Sequence, residues 1–447
     1  GGCFVVDGVG LPVLGGWWRA ETLPQQTAWL MLNVTSDFDY TGRSAPVWLG
    51  PDKFDYSQVH ARLAAALGAN PDAYLIPIIA ISSPPWWDAQ HPGELMVFGD
   101  GKPRLPGSVQ AAKHTFASWA SAAWRRDAGA ALTRLIQHLE NSPWGPAIIG
   151  YQLASGEDGR WAYPGASDGV FADYSAPQQE AFRAWLKAKY RDVAVLRMAW
   201  GQPRSPLGSA EALKELQPIM GWSQVRVPSQ ARRSRSPSGV LLDPSGVQDV
   251  VDYQIFCSDQ VVDTVRALAT VAREATGRKK LVGVAYGHPF DLAATRCGLQ
   301  NGGHLALSPI CSAEELDFIV SPGTFGESAN PPLATTVAAS IAQHGKLWVA
   351  QSDAGRSEAA VTNAAMWGGV AAVEAPPPAA WVRRLAALPP TMPRSGPAEI
   401  AVVVDDISAA YTACGSELTK PLLSDQRLGL ALMGAPYDVW TLDDVLN

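Results

Sequence analysis

The sequence predicts an α/β protein, a (β/α)8 barrel followed by part of a Rossmann-like module. Apolar strand-like runs alternate with amphipathic helical stretches along most of the chain, and polar residues repeatedly follow those runs at their carboxyl ends. With 447 residues, the chain is long enough for one large domain and a smaller one. We therefore place the barrel in residues 1–394 and the start of the Rossmann-like module in residues 395–447.

The predicted elements alternate in type along the chain. Continuous apolar runs predict buried strands over residues 29–32, 75–81, 280–286, 317–320 and 346–351. A further apolar run predicts a buried strand that begins at Ile148. Helical spacing predicts helices over residues 54–67, 115–139, 176–200, 247–275 and 332–344, and residues 363–372 combine a helix with a strand. Fewer than eight strands are clear, so closure of the barrel is an inference. Beyond Pro393, a strand over 399–411 and a helix over 422–433 predict the start of the module.

The composition favours a folded protein without nucleic-acid or membrane partners. Hydrophobic residues make up 47% of the chain and charged residues 17%, which allows a large buried core. The formal charge is −7, and the most basic cluster, around Arg232 and Arg235, lies among Ser and Pro residues that predict a solvated loop. We find no apolar run of about 18 residues and no signal peptide. The compartment stays open between the cytoplasm and secretion after processing.

The five cysteines are scattered and odd in number: Cys3, Cys257, Cys297, Cys311 and Cys414. We expect them to be small buried hydrophobic residues rather than a disulfide framework or a zinc site. No other cluster has metal-ligand spacing, and no Gly-rich loop matches a phosphate-binding motif. The sequence therefore predicts neither a metal nor another cofactor.

The stretch from Ile148 to Trp161, IIGYQLASGEDGRW, is the strongest candidate for chemistry. Its apolar run ends in small residues, and the carboxylate Glu157 follows just beyond them. In a parallel barrel, catalytic groups sit at the carboxyl ends of strands in this way. A buried strand followed by an ordinary Asp-Gly turn has the same sequence pattern. The stretch by itself therefore leaves both a catalytic and a purely structural interpretation open.

Tryptophan is unusually frequent, with 17 residues, and flat indole faces are surfaces on which sugar rings can stack. Trp86 and Trp87 follow a predicted strand, and two adjacent indoles are unlikely to face one core together. We expect at least one of them to line a cleft, and two of the three residues Trp86, Trp87 and Trp161 to border a substrate. The alternative is that each ring folds under its own loop.

Several stretches resemble glycoside hydrolase family 42 and its relatives among the clan A β-galactosidase-like barrels. The helices QQEAFRAWLKAKYRDVAVLRMAWG (178–201) and DYQIFCSDQVVDTVRALATVAREATG (252–277) are similar to the family's long helices, and IIGYQLASGEDG (148–159) resembles its acid/base strand. The segment from residue 398 resembles the start of the family's trimerisation domain. The resemblance implies a carbohydrate substrate, retaining glycoside hydrolysis with Glu157 as acid/base, a contribution of Gln152 to binding, and a homo-oligomer.

This chain departs from the family pattern at two positions. Glu157 lies five residues after Gln152, where the family has four, and Gly156 replaces the usual Asn. The family's nucleophile is a Glu at the end of the seventh strand, and the matching residue in KLWVAQSDAGR is Gln351. An uncharged carboxamide cannot attack an anomeric carbon as a carboxylate does.

Three explanations of Gln351 stay open. It could be a substitution made to trap a complex, Asp353 could be the nucleophile instead, or the site could be non-hydrolytic. Arg356 could pair with Asp353 and keep it ionised. Tyr286 and His288 follow another strand end and could bind sugar hydroxyls, although an ordinary Gly-Pro turn explains them equally well. A carbohydrate-binding pseudoenzyme and a transglycosylase are therefore alternatives to the hydrolase.

Overall fold

A computed structural model describes residues 2–18, 27–35, 47–103, 115–201, 219–234, 240–322, 335–352, 357–375 and 398–447. Eight parallel strands form a closed barrel, which confirms the predicted fold class. They are β1 (Leu14–Trp18), β2 (Trp29–Asn33), β3 (Tyr74–Ala80), β4 (Gly150–Ala154), β5 (Leu281–Ala285), β6 (Phe318–Pro322), β7 (Leu347–Ser352) and β8 (Val370–Val373). The strands pair in chain order, and β8 pairs with β1.

Small residues inside the barrel leave room for large ones on the neighbouring strand. A side chain at Gly15 would lie 2.2 Å from the indole of Trp29, and one at Gly283 would lie 2.3 Å from the ring of Phe318. Both aromatic rings are fully buried. Because such close approaches are impossible for any residue with a Cβ atom, glycine is required at both positions.

Helices surround the barrel and connect its strands. They are α1 (Ser57–Ala69), α2 (Pro85–Gln90), α3 (Ala122–Glu140), α4 (Ala176–Tyr190), α5 (Val193–Ala199), α6 (Gln230–Arg233), α7 (Pro244–Ala275), α8 (Pro289–Ala293), α9 (Gly298–Asn301), α10 (Leu307–Cys311), α11 (Ala338–Gln343) and α12 (Ser357–Trp367). Short 3-10 turns lie at Pro92–Glu94, Gly145–Ala147 and Trp222–Gln224. Within the described ranges, no helix has both the length and the apolar character needed to cross a membrane.

Some predicted boundaries differ from the structure because capping residues interrupt them. The helix predicted over 176–200 is two helices, separated by Arg191 in a left-handed conformation (φ 63°) and by Asp192. The Asp192 carboxylate accepts a hydrogen bond from the amide of Ala194 and so begins a new helix. The helix predicted to begin at residue 115 begins at Ala122, because Ser121 caps it in the same way.

The C-terminal segment forms a separate parallel pair of strands, β9 (Ile400–Val404) and β10 (Tyr437–Thr441). Between and after them lie α13 (Asp406–Ala409), a π-helical turn (Lys420–Asp425), α14 (Gln426–Met433) and α15 (Leu442–Leu446). The strand predicted over 399–411 is therefore shorter, since Asp405 caps α13 by accepting from the amide of Ser408. This order agrees with a β-α-β unit, and the domain boundary stays a prediction.

The same segment is fastened to the barrel by a disulfide that the sequence did not predict. Cys297 and Cys414 are bonded, with their Cα atoms 4.8 Å apart and 117 positions apart in the chain. The expectation of five unpaired cysteines is therefore wrong for this pair, because the fold brings the start of α9 against the turn after α13. Cys257 and Cys311 are buried and free, as expected, and Cys3 is half-buried.

We predict that Cys414→Ser lowers the free energy of unfolding by about 2–5 kcal/mol, because the lost cross-link closes a long loop in the unfolded chain. Denaturant unfolding of the variant and of the reduced parent should give the same loss. Cys3→Ser is the matched control, since this thiol is free. Equal unfolding midpoints for both serine variants would contradict a stabilising role of the disulfide.

Candidate functional site

The carboxyl ends of the barrel strands meet on one face, and Glu157 lies on this face three residues beyond the end of β4. The loop that carries it is held by its own backbone. The Glu157 amide donates to the Ala162 carbonyl at 2.9 Å, and the Trp161 amide donates to the Ser155 carbonyl at 2.8 Å. The position of Glu157 is therefore set by a closed turn rather than by a free loop.

Gly156 explains why this loop differs from the family pattern that the sequence resembles. Its φ is +71°, and a Cβ atom there would lie 2.4 Å from the Ala162 carbonyl oxygen and 2.9 Å from the indole of Trp119. An Asn side chain does not fit in this conformation. The extra residue between Gln152 and Glu157 and the glycine before Glu157 are thus parts of one remodelled turn.

The Glu157 carboxyl is largely buried, and burial raises its pKa to about 7. The nearby carboxylates of Asp158 and Asp168 add to the shift, whereas hydrogen bonds from Ser167 and the Gly165 amide oppose it. Among the described residues, no donor or acceptor reaches its Oε2 atom. Glu157 can therefore carry a proton near neutral pH, as a general acid must.

Glu157 lines a pocket of about 250 Å³ between the loops that follow β4 and β5, which we call the β4–β5 pocket. Polar side chains from both loops surround it: Glu157, Arg160, Ser167, His288, Asp291 and His304. Both histidines are buried, and burial lowers the pKa of His288 well below its usual value and that of His304 to about 3. Both imidazoles are therefore neutral at neutral pH.

Asp291 is a second buried carboxyl in the β4–β5 pocket, and the sequence argument did not identify it. Burial raises its pKa to about 6, although the guanidinium groups of Arg427 and Arg160 oppose the shift. Arg427 comes from α14 in the C-terminal segment, and its Nη1 lies 3.5 Å from Asp291 Oδ1. The signal that could have identified Asp291 was its place five residues after Tyr286, beyond a strand end that had already been singled out.

The two residues predicted beyond β5 have different surroundings. His288 lines the β4–β5 pocket. Tyr286 is fully buried, and its hydroxyl donates to the Gly303 carbonyl at 2.9 Å and accepts from the Ala306 amide at 3.3 Å. Tyr286 instead stacks on His304, with ring centroids 4.4 Å apart. The hydroxyl of Tyr286 is therefore committed to the backbone, whereas His304 lines the pocket.

Gln351 lies on β7, the seventh barrel strand, one residue before its end. In the strand register it is level with Pro322 of β6 and Ala372 of β8. Gln152 lies within β4 and is buried, and no described residue is a hydrogen-bond partner for its Oε1. Asp353 and Arg356 lie outside the described residues, so their proposed pairing stays a prediction.

The three tryptophans divide between core and surface. Trp87 and Trp161 have no exposed area, and their indoles donate to Asp127 at 3.0 Å and to the Leu153 carbonyl at 3.1 Å. Trp86 is half-buried and donates to the Trp48 carbonyl. Adjacent indoles on the short helix α2 point apart, so one packs inside while the other reaches the surface. In this structure neither Trp87 nor Trp161 offers a ring face to a sugar, contrary to the expectation that two of the three would border a substrate.

Comparisons with known proteins agree with this architecture. A family model described as β-galactosidase, glycoside hydrolase family 42, matches residues 25–293, more than half of the chain. A comparison with curated proteins finds no match. Among solved structures, a β-galactosidase from the Antarctic haloarchaeon Halorubrum lacusprofundi has a TM-score of 0.61 at 16% identity, covering 96% of this chain and 66% of its own.

Two further solved structures share the fold. A β-galactosidase from the psychrophilic Marinomonas ef1 has a TM-score of 0.57 at 15% identity, covering 96% of this chain and 69% of its own. The catalytic domain of a β-amylase from Paenibacillus polymyxa has a TM-score of 0.56 at 13% identity, covering 78% of this chain and 85% of its own. The chain thus spans about two thirds of the two β-galactosidases. At these identities, the structural matches establish the barrel fold.

We predict that Glu157→Gln stabilises the fold at pH 8 by roughly 2–3 kcal/mol, because an ionised carboxylate in this environment is penalised. A folded-state pKa above the unfolded value means that stability is lost as pH rises from about 4.5 to about 7. The gain should therefore shrink to about 1 kcal/mol at pH 5.

Urea unfolding of parent and variant at both pH values measures this difference. Glu180→Gln, at an exposed position on α4, is the control and should show no such gain. Equal stability of Glu157→Gln and the parent at pH 8 would show that the carboxyl is not penalised by burial.

Proposed function

Because the chain belongs to the glycoside hydrolase family 42 β-galactosidases, we propose that it acts on a β-galactoside-like glycoside at the carboxyl face of the barrel, with Glu157 as the general acid/base. The observation that carries this proposal is the protonatable, buried carboxyl of Glu157 beside an open pocket at a strand end. In retaining hydrolysis such a group protonates the leaving oxygen and later deprotonates the attacking water. Self-association through the C-terminal segment is part of the same proposal.

The second group that retaining hydrolysis needs is a carboxylate about 5–5.5 Å from the first, which attacks the anomeric carbon. The family resemblance assigns this position to the end of the seventh strand, where this chain has Gln351. A carboxamide has nearly the shape of a carboxylate but neither its charge nor its nucleophilicity. With Gln351 in this position the chain binds its glycoside and turns it over slowly, unless Asp353 supplies the missing carboxylate.

Gln351 also favours a second candidate function, a carbohydrate-binding protein that does not hydrolyse its ligand. Such a protein keeps the barrel and the pocket and lacks the carboxylate pair. A transglycosylase differs only in which acceptor opens the glycosyl-enzyme, so it uses the same residues as the hydrolase. The two main candidates therefore differ in the chemistry of one strand end, at residues 351–353.

We predict that Gln351→Glu raises hydrolysis of an aryl β-galactoside at least about 100-fold above the parent, because it restores a nucleophile whose loss removes several kcal/mol of transition-state stabilisation. Release of the nitrophenol group by parent and variant measures the effect. Gln351→Asn is the control for the change of side chain and should stay at the parent rate. The parent could instead be active already, with a rate that Gln351→Glu does not change. If Asp353→Asn then abolishes this activity, the nucleophile is Asp353 and not residue 351.

We predict that kcat/KM of the active form falls about tenfold per pH unit above pH 7, because Glu157 must be protonated to donate its proton. A pH profile between 5 and 9 with an aryl galactoside whose leaving group needs protonation tests this expectation. Glu157→Gln should remove the alkaline limb together with most of the activity. A profile that stays flat to pH 9 would rule out Glu157 as the titrating acid.

A further inference from the structure

One carboxyl at the end of a barrel strand has no part in the site described so far. Glu374 directly follows β8, which ends at Val373. Among the described residues that lie within two positions of the carboxyl end of a barrel strand, Glu374 is the only Asp or Glu. Catalytic groups of parallel barrels come from such strand ends, so this position is a candidate for chemistry.

Strand pairing continues through Glu374. Its amide donates to the Ser352 carbonyl of β7 at 3.0 Å, one step beyond the paired residues Ser352 and Val373. The backbone of Glu374 is therefore still part of the parallel sheet, although β8 itself ends one residue earlier. The direction of its side chain then follows the alternation of the strand.

The alternation along β8 directs the Glu374 side chain towards the barrel interior. Val370 and Ala372 belong to the cluster that fills the barrel, whereas Ala371 and Val373 belong to the cluster between the barrel and its helices. Because residues two apart in a strand share a side, Glu374 points inward, beyond Ala372. Glu374 is half-buried, so its side chain keeps contact with solvent at the mouth of the barrel.

Glu374 does not occupy the position of the nucleophile. Gln351 is level with Ala372, so Glu374 lies one strand away, about 4.8 Å, and two residues, about 6–7 Å, further towards the mouth of the barrel. Strand β8 lies opposite β4, with three strands between them on either side, whereas β7 is separated from β4 by two strands on its nearer side. The strand that carries Glu374 is therefore further from the strand that carries Glu157 than β7 is.

A wider separation of two carboxyls suits a different stereochemical course. A retaining site holds its carboxyls about 5–5.5 Å apart, whereas an inverting site holds them about 6.5–9.5 Å apart and so leaves room for a water molecule. In the inverting reaction the second carboxylate is a general base and forms no bond to the sugar. Gln351, which cannot attack the anomeric carbon, leaves this course open.

We propose that Glu374 is the general base of the parent chain and that its slow hydrolysis of a β-galactoside inverts the anomeric carbon. Glu374 removes a proton from a water molecule while the water oxygen bonds to the anomeric carbon. The glycosidic C–O bond breaks in the same step, and Glu157 gives its proton to the leaving oxygen. Proton exchange with solvent then restores both carboxyls. The proposal depends on the proposed function for its substrate and its acid, and it differs from the retaining course that the family resemblance implies.

Glu374→Gln in two backgrounds tests this role. We expect it to lower the release of nitrophenol from an aryl β-galactoside at least about 100-fold in the parent, since a general base contributes roughly 10²–10⁴-fold. In the Gln351→Glu background, where the restored nucleophile replaces water in the first step, the same change should cost less than about fivefold. Losses of equal size in both backgrounds would indicate a structural role and overturn the proposal. Glu358→Gln, at an exposed position on α12, is the matched control and should leave both rates unchanged.

The products report the stereochemical course without any substitution of Glu374. In the presence of methanol, Gln351→Glu should form methyl β-galactoside by retention. The parent should form none, and at high enzyme concentration proton NMR should detect α-galactose as its first product. Methyl β-galactoside from the parent would overturn the proposal. In addition, Glu374→Ala with azide should give α-galactosyl azide, because azide enters from the side of the displaced water, and a β-configured azide would contradict inversion.

The rates also separate this proposal from the proposed function. If Gln351→Glu hydrolyses the galactoside and the parent does not, the role of Glu374 is wrong and the hydrolase assignment holds. The same conclusion follows if Glu374→Gln leaves the parent rate unaltered. If no variant with a cooperative melting transition releases nitrophenol from any glycoside, the hydrolase assignment fails and the role of Glu374 fails with it.

Discussion

Closure of the barrel is the constraint on which the rest of this structure depends. Each strand pairs with a neighbour on both sides because β8 returns to β1, so the buried strand backbones leave no open sheet edge. Parallel pairing places all eight carboxyl ends on one face. Glu157, His288 and Gln351 are far apart in sequence, and they come to the same face because they follow or end strands of one closed sheet.

This face of the barrel buries ionisable groups that have unpaired polar atoms. Unpaired buried polar groups each cost about 1–3 kcal/mol, and Glu157, His288 and Asp291 all carry such atoms within the described part of the chain. The surroundings that hold them are rigid. Gly156 permits a turn that only glycine can adopt, and the disulfide and Arg427 attach the C-terminal segment to the loop that carries Asp291. Stability from the fold is thus used to maintain a polar pocket.

The sequence predicted the barrel well because strand burial and helix periodicity are local properties. Six of its strands are predicted to within a few residues, and the end of one of them identifies Glu157. The features that it missed depend on contacts between distant residues. Cys297 and Cys414 carry no spacing signal, Asp291 lies within a short helix, and the inward turn of Trp87 depends on its contact with Asp127. Capping by Asp192 and Asp405 was visible in the sequence and should have divided the long predicted elements.

The combination of Glu157 and Gln351 is informative about how this site is used. A buried carboxyl with a pKa of about 7 lowers the free energy of unfolding at neutral pH, and a neutral side chain at this position would remove that loss. A protein with no use for a proton donor in this pocket has no physical reason to hold one at that expense, since strained and unpaired groups persist where function requires them. Gln351, by contrast, keeps the shape of a carboxylate without its charge. If Glu157 and Gln351 have the roles proposed for them, the site retains the acid of a two-carboxyl mechanism and the shape of the second carboxyl, and the difference between hydrolase and binding protein lies in a single functional group.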